Sequence, residues 1–177
     1  VKPELKLFEL ASGRTVWSWS EGEAMILALA FSPDGRLVAA ASDDQQARLF
    51  SAADGALTKT LSGHEDAVTA VVFLPDQKRL ATAGAEGAIK LWELSSGNCL
   101  LTIPAHQDQI SWLAASRTWL VSTSWDRSAA IWPLPADLSS AGALGLLREL
   151  QAETGLSLEG FELKRTKGPS EPEAGGR

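Results

Sequence analysis

Tyrosine is absent from this sequence of 177 residues, and cysteine and methionine occur once each. A lone Cys99 makes no internal disulfide, and one cysteine with two histidines does not fill an ordinary four-ligand zinc site. The longest apolar run, residues 24–31, is far short of the ~20 residues of a membrane helix. No basic-then-apolar start reads as a secretory signal. Positive charge is in deficit, with 16 Lys+Arg against 22 Asp+Glu and a net charge of -6. Such a balance argues against a surface that neutralises phosphates or anionic lipid, so neither nucleic acid nor a membrane is expected as a partner. No Gly-rich phosphate loop follows a strand and opens a helix, and no cofactor or metal is expected. Hydrophobic residues at 45% and charged residues at 21% suit a globular chain of one ordinary domain. These features together give the expectation of a cytoplasmic protein.

What is present is periodic. Three segments align: AFSPDGRLVAAASDDQQARLF, VFLPDQKRLATAGAEGAIKLW and ASRTWLVSTSWDRSAAIW. Each closes on an aromatic, at Phe50, Trp92 and Trp132, at intervals of 42 and 40 residues. Another 42 residues back lies Phe8, in LKLFEL, which matches IKLWEL, and Phe31 and Phe73 keep the same interval. A period of this length marks a stacked repeat. Within one period VTAVVF, KRLATAG, AIKLWEL and CLLTI are short and rich in Val, Ile, Leu, Thr and aromatics, which predicts strands. PDQK and PDGR, AEGA and DDQQ, and SSGN and AADG supply the turns between them. Each period therefore reads as a four-stranded antiparallel meander. A unit so small buries both its faces only by stacking on its neighbours, and the seven Trp and five Phe residues suit the wedge between stacked sheets.

The run GHEDAVTAVVFLPDQKRLATAGAEGAIKLWELSSGNCLLTI resembles a WD repeat of the β-propeller family, with its Gly-His pair, strands, acidic turn and closing aromatic–acid dipeptide. The closing pairs here are Phe8-Glu9, Phe50-Ser51, Trp92-Glu93 and Trp132-Pro133, none of them a literal Trp-Asp. The resemblance covers residues 5–134. It implies an all-β chain of about three and a partial propeller blades over 1–134, forming an incomplete ring. Residues 135–164 read as a linker, a short helix and a possible strand, and 165–177 as a disordered tail. The helix is expected over 143–154, from Leu144, Leu147 and Leu150 at helical spacing with Gly155 as its stop.

His106, Ser124 and Asp126 could be read as a catalytic set, but no nucleophile elbow or oxyanion segment accompanies them. The resemblance implies instead a structural chain of hydrogen bonds from the Trp132 indole through Ser124 and His106 to Asp126. The preceding repeat offers His64, Glu86 and Trp92, with Gly84 at the hydroxyl position and a glutamate stem that looks too long for the same bond. The repeat before that keeps only Asp44, with Gly22 in place of the histidine and Phe50 in place of the donor. At the rim, the residue before each turn acid is expected to face outward: Asp43, Ala85 and Trp125. Glu23, Asp66 and Asp108 are expected on the neighbouring rim loop. An exposed tryptophan ringed by carboxylates suits a peptide carrying Arg or Lys. Trp112 and Trp119 are expected in the core, and Cys99 as a small buried residue.

The pattern opens midway through a repeat, and at about 40–45 residues per blade and typically at least four blades a ring needs more chain. The expectation is the C-terminal part of a longer polypeptide. The segment after the repeats resembles tails that follow such arrays in bacterial signalling proteins. The alternative is that copies combine to close the disc. In function, the reading is a non-catalytic scaffold that presents its rim to partner proteins or peptides. The alternative is a regulatory segment of a larger signalling enzyme whose kinase, protease or NTPase domain lies upstream.

Overall fold

Successive side chains of a strand point to opposite faces, so strands apolar at both parities, such as LVAAAS and AIKLWE, need a packed neighbour on each side. The structure, a computed structural model, describes residues 2–20 and 22–134 and, beyond them, the backbone of two short strands. No helix occurs among the described residues. The first sheet is the pair β1 (Leu5–Phe8) and β2 (Thr15–Trp19). The second is the meander β3 (Ile26–Phe31), β4 (Leu37–Ser42), β5 (Gln46–Ser51) and β6 (Leu57–Ser62). The third repeats it with β7 (Val68–Phe73), β8 (Arg79–Gly84), β9 (Ala88–Glu93) and β10 (Cys99–Pro104). The fourth has three strands among the described residues, β11 (Ile110–Ala115), β12 (Trp119–Ser124) and β13 (Ala129–Pro133). All pairings within these four sheets are antiparallel.

The segment expected to hold one strand after the repeats forms two, β14 (Leu156–Glu159) and β15 (Glu162–Arg165), paired antiparallel. β15 adds in parallel to the outer edge of β10, with Thr102 opposite Glu162. Arg165, placed by the sequence reading in the tail, thus ends a strand. The helix expected over 143–154 and the tail from 166 lie outside the described residues.

The turns repeat one device. Their third residue takes a left-handed conformation: Gly35, Gln45, Gly55, Gln77, Gly87, Gly97 and Arg127 all have φ between 59° and 80°. Except before Gly87, where Glu86 bonds His64 instead, the preceding Asp or Ser accepts a hydrogen bond from the backbone two residues on, as in Lys78 N–H to Asp76 Oδ1 at 2.9 Å and Ser128 N–H to Asp126 Oδ1 at 2.8 Å. That side-chain clamp offsets the cost of a left-handed Gln or Arg.

Stacking follows from strand parity. β3, β7 and β11, the first strands of successive sheets, lie side by side. Leu49 and Leu91 face the following sheet, while Phe50 and Trp92 face the preceding one. Three apolar clusters result, one at each interface between consecutive sheets. Each side chain of the Leu-aromatic pair is thereby buried on a different side of the same strand.

Candidate functional site

The two surviving histidines sit where the chain enters the first strand of the third and fourth sheets. In the third sheet, His64 lies between Thr82 on β8 and Glu86 in the β8–β9 turn. Trp92 donates its indole N–H to Thr82 Oγ1 at 2.7 Å, and His64 Nε2 lies 2.6 Å from the same oxygen. Nδ1 meets Glu86 Oε1. The Glu86 carboxylate can only accept, so Nδ1–H donates to it, and in the neutral imidazole Nε2 then accepts from the Thr82 hydroxyl, which itself accepts from Trp92. The expectation that the glutamate stem is too long is corrected here. Glu86 folds back over Gly84, where a Cβ would collide with its carboxylate. Gly84 is thus not a vacant hydroxyl position but the space that lets a longer acid make the bond.

The fourth sheet repeats this chain and corrects the sequence reading in one residue. Ser122, not Ser124, receives the Trp132 indole N–H at 2.9 Å and lies 2.7 Å from His106 Nε2. Ser124 Oγ instead donates to the Asp108 carbonyl at 3.0 Å. The register of β12 on β13 decides this, because it sets Leu120 opposite Trp132 and Ser122 two residues further along the strand. A signal was present: Thr82 and Ser122 each stand ten residues before their tryptophan. His106 Nδ1 lies 3.0 Å from Asp126 Oδ2. The Ser128 hydroxyl and the Gln107 N–H also bond this carboxylate and hold its pKa well below the usual carboxylate range.

The second sheet lacks the chain, and Asp44 has a different partner. Arg48 grips it through both terminal nitrogens and lies over the Trp19 ring, 5.9 Å from its centroid. Burial pushes the Asp44 pKa up, but the Arg48 guanidinium, with the Gln46 N–H, outweighs it and the net shift is downward. Phe50 is packed edge-on against Trp19 at 5.0 Å. Gly22, where a histidine would stand, leaves a cleft bordered by Trp19, Glu23, Asp44 and Arg48.

The rim positions are equivalent by geometry. The backbone N–H groups of Asp43, Ala85 and Trp125 donate to the carbonyls of Met25, Ala67 and Gln109 at 3.0, 2.9 and 3.0 Å. Trp125 is 66% exposed. Asp66 and Asp108 are exposed counterparts, each bonding the next residue's N–H at 2.7 Å with one carboxylate oxygen. Their strands are linked by the Thr69 hydroxyl, which donates to the Ile110 carbonyl at 2.5 Å. Asp43 is half-buried, its carboxylate turned onto the Met25 N–H at 2.7 Å. Glu23 is exposed but stands in register with Glu65, and Ala24 is the counterpart of Asp66.

Three other expectations are overturned. Cys99 is exposed, because it opens the outermost strand of its meander. Trp112 and Trp119 are about half exposed, because they point away from the third sheet and no described residues cover that side.

Antiparallel meanders stacked through their first strands, in an array that the described residues leave unclosed, define β-propeller blades. Family comparison agrees. The model for the WD domain, G-beta repeat, matches residues 55–93 and 97–133, and that for the anaphase-promoting complex subunit 4 WD40 domain matches 2–73. The chain belongs to the WD-repeat family. No curated protein matches it significantly. Repeats of this family generally serve as protein-interaction scaffolds and are typically non-catalytic.

Proposed function

We propose that this chain is a non-catalytic scaffold whose rim around Trp125, Asp108 and Asp66 receives peptide segments carrying Arg or Lys. The observation that carries the reading is Trp125: its backbone is pinned to Gln109, the neighbour of Asp108, while its ring is 66% exposed. A solvent-facing indole on a pinned backbone offers a face to a cation. Two carboxylates at the starts of adjacent strands add charge of the right sign. Against a hydrolase stands the position of Ser122. Its connectivity to His106 and Asp126 is that of a nucleophile, yet the residue is 0% exposed and its oxygen already accepts from Trp132.

The test is an array of Lys- and Arg-containing peptides probed with the wild-type chain and with Trp125→Ala. Loss of one buried aromatic contact is expected to weaken binding about tenfold or more at an unchanged melting temperature. Binding that survives Trp125→Ala, or that favours acidic peptides, overturns the reading.

A further inference from the structure

Residues one period apart occupy equivalent positions, so each sheet is a reference against which the next can be read. In the third and fourth sheets a buried imidazole, that of His64 or His106, is held between two partners. A turn carboxylate, Glu86 or Asp126, meets Nδ1, and a strand hydroxyl, Thr82 or Ser122, meets Nε2. In the second sheet Gly22 stands at the histidine position and Ala40 at that of the hydroxyl, while the acid survives as Asp44. A cleft of about 390 Å³ opens there, with Trp19, Gly22, Asp44, Gln46, Arg48 and Thr60 on its border. Every residue that borders it lies within 19–60, so neither end of the chain enters its outline.

The cleft keeps bonding capacity that its counterparts have used. Asp126 Oδ2 meets both His106 Nδ1 and the Gln107 N–H, at 3.0 Å each. Asp44 Oδ2 accepts from one N–H donor, Arg48, which leaves a lone pair for a second. The hydroxyl side is similar. Thr102, opposite Lys90, accepts from the Lys90 ammonium at 3.0 Å. Its counterpart Thr60 lies opposite Arg48, but Arg48 is turned to Asp44 and Gln46 instead. The exposed Thr60 hydroxyl therefore has no partner among the described residues. An acid with a free lone pair and an unpartnered hydroxyl thus border one cavity, with Trp19 beside them.

We infer that this cleft receives a histidine side chain from a partner peptide, in the role that His64 and His106 play from within the chain. One ring nitrogen donates its N–H to Asp44, and the other accepts from the Thr60 hydroxyl. The Trp19 indole gives the ring an aromatic neighbour, as Trp92 does for His64 at 6.4 Å between centroids. Charge disfavours the alternatives. A Lys or Arg head group would bring a permanent cation beside Arg48, whose charge already balances Asp44. A carboxylate would meet Asp44 and the exposed Glu23, which also borders the cleft. A Gln or Asn amide donates and accepts as imidazole does, but brings no ring to pack on Trp19. Imidazole, neutral above about pH 6.5, meets all three demands. This site is separate from the rim around Trp125 and does not depend on what that rim binds.

The test follows the isotope-labelled 177-residue chain by NMR at a pH of about 7.5, where imidazole is mostly neutral. The probes are the N-acetyl methylamides of histidine, lysine and glutamine. The histidine probe is expected to give saturable shifts at the Trp19 indole N–H and at the backbone N–H groups of Asp44 and Gln46, with an affinity at least about tenfold above the other two. Thr60→Val removes the hydroxyl and should weaken the histidine probe about fivefold, the worth of one hydrogen bond. Thr60→Trp fills the cleft and should abolish the shifts. Thr60 is exposed, so both variants should melt with the wild type. Equal affinity for the three probes, full binding in Thr60→Trp, or shifts confined to the Trp125 rim each overturns the assignment.

Discussion

Replacing Ser122 by alanine removes one oxygen and leaves two buried groups without partners. The Trp132 indole N–H and His106 Nε2 both bond this hydroxyl, at 2.9 and 2.7 Å, and Trp132 and His106 are both buried. A buried polar group that loses its partner costs about 1–3 kcal/mol. Relief from burying the hydroxyl itself offsets part of this, so the net loss is about 2–4 kcal/mol. For a chain of this length that corresponds to a drop in melting temperature on the order of 10 °C. Ser124→Ala is the control, since its hydroxyl bonds a carbonyl near the surface, and it should cost less than about 1 kcal/mol. Thermal unfolding followed by tryptophan fluorescence reports both variants. Were Ser122 a nucleophile, its removal would abolish a turnover and spare stability. A Ser122→Ala protein that melts with the wild type, or a Ser124→Ala protein that melts lower still, refutes the assignment.

Two further outcomes follow from the same geometry. The folded pKa of Asp126 is depressed below its ordinary 3.8, as are those of Asp34 and Asp54 through the hydroxyls of Ser32 and Ser51. A depressed carboxylate stabilises the fold above its unfolded pKa, and this contribution is lost as pH falls below about 4. Denaturant titrations should therefore show stability falling from pH 4 towards pH 2, with a shallower fall in Asp126→Asn; equal slopes would count against the carboxylate's role. Gly84→Ala should drive Glu86 off His64 and destabilise by about 1–2 kcal/mol. In a Glu86→Ala background the same change should cost much less, and additive effects would show that the two residues do not compete for that space.

Much of the architecture is legible in the sequence because it is local. The 42-residue interval, the strands rich in branched and aromatic residues, and the Asp-turn signals need only nearest neighbours to act. Even Gln45, Gln77 and Arg127 lie at the turn position that requires a left-handed backbone, next to the acid that clamps it. The identity of the histidine's partner is not local. Ser122 and Ser124 lie on the same strand face, two residues apart, and only the pairing of β12 with β13 brings one of them under the Trp132 indole. Glu86 likewise reaches His64 only because Gly84 leaves a gap, a relation between side-chain volumes that spacing does not encode. Burial of tryptophan was decided furthest from the sequence. Trp92 and Trp112 are both strand tryptophans, yet one is covered by an adjoining sheet and the other is not. Periodicity determines which way a side chain points; whether anything stands there to remove it from water is a property of the assembled array.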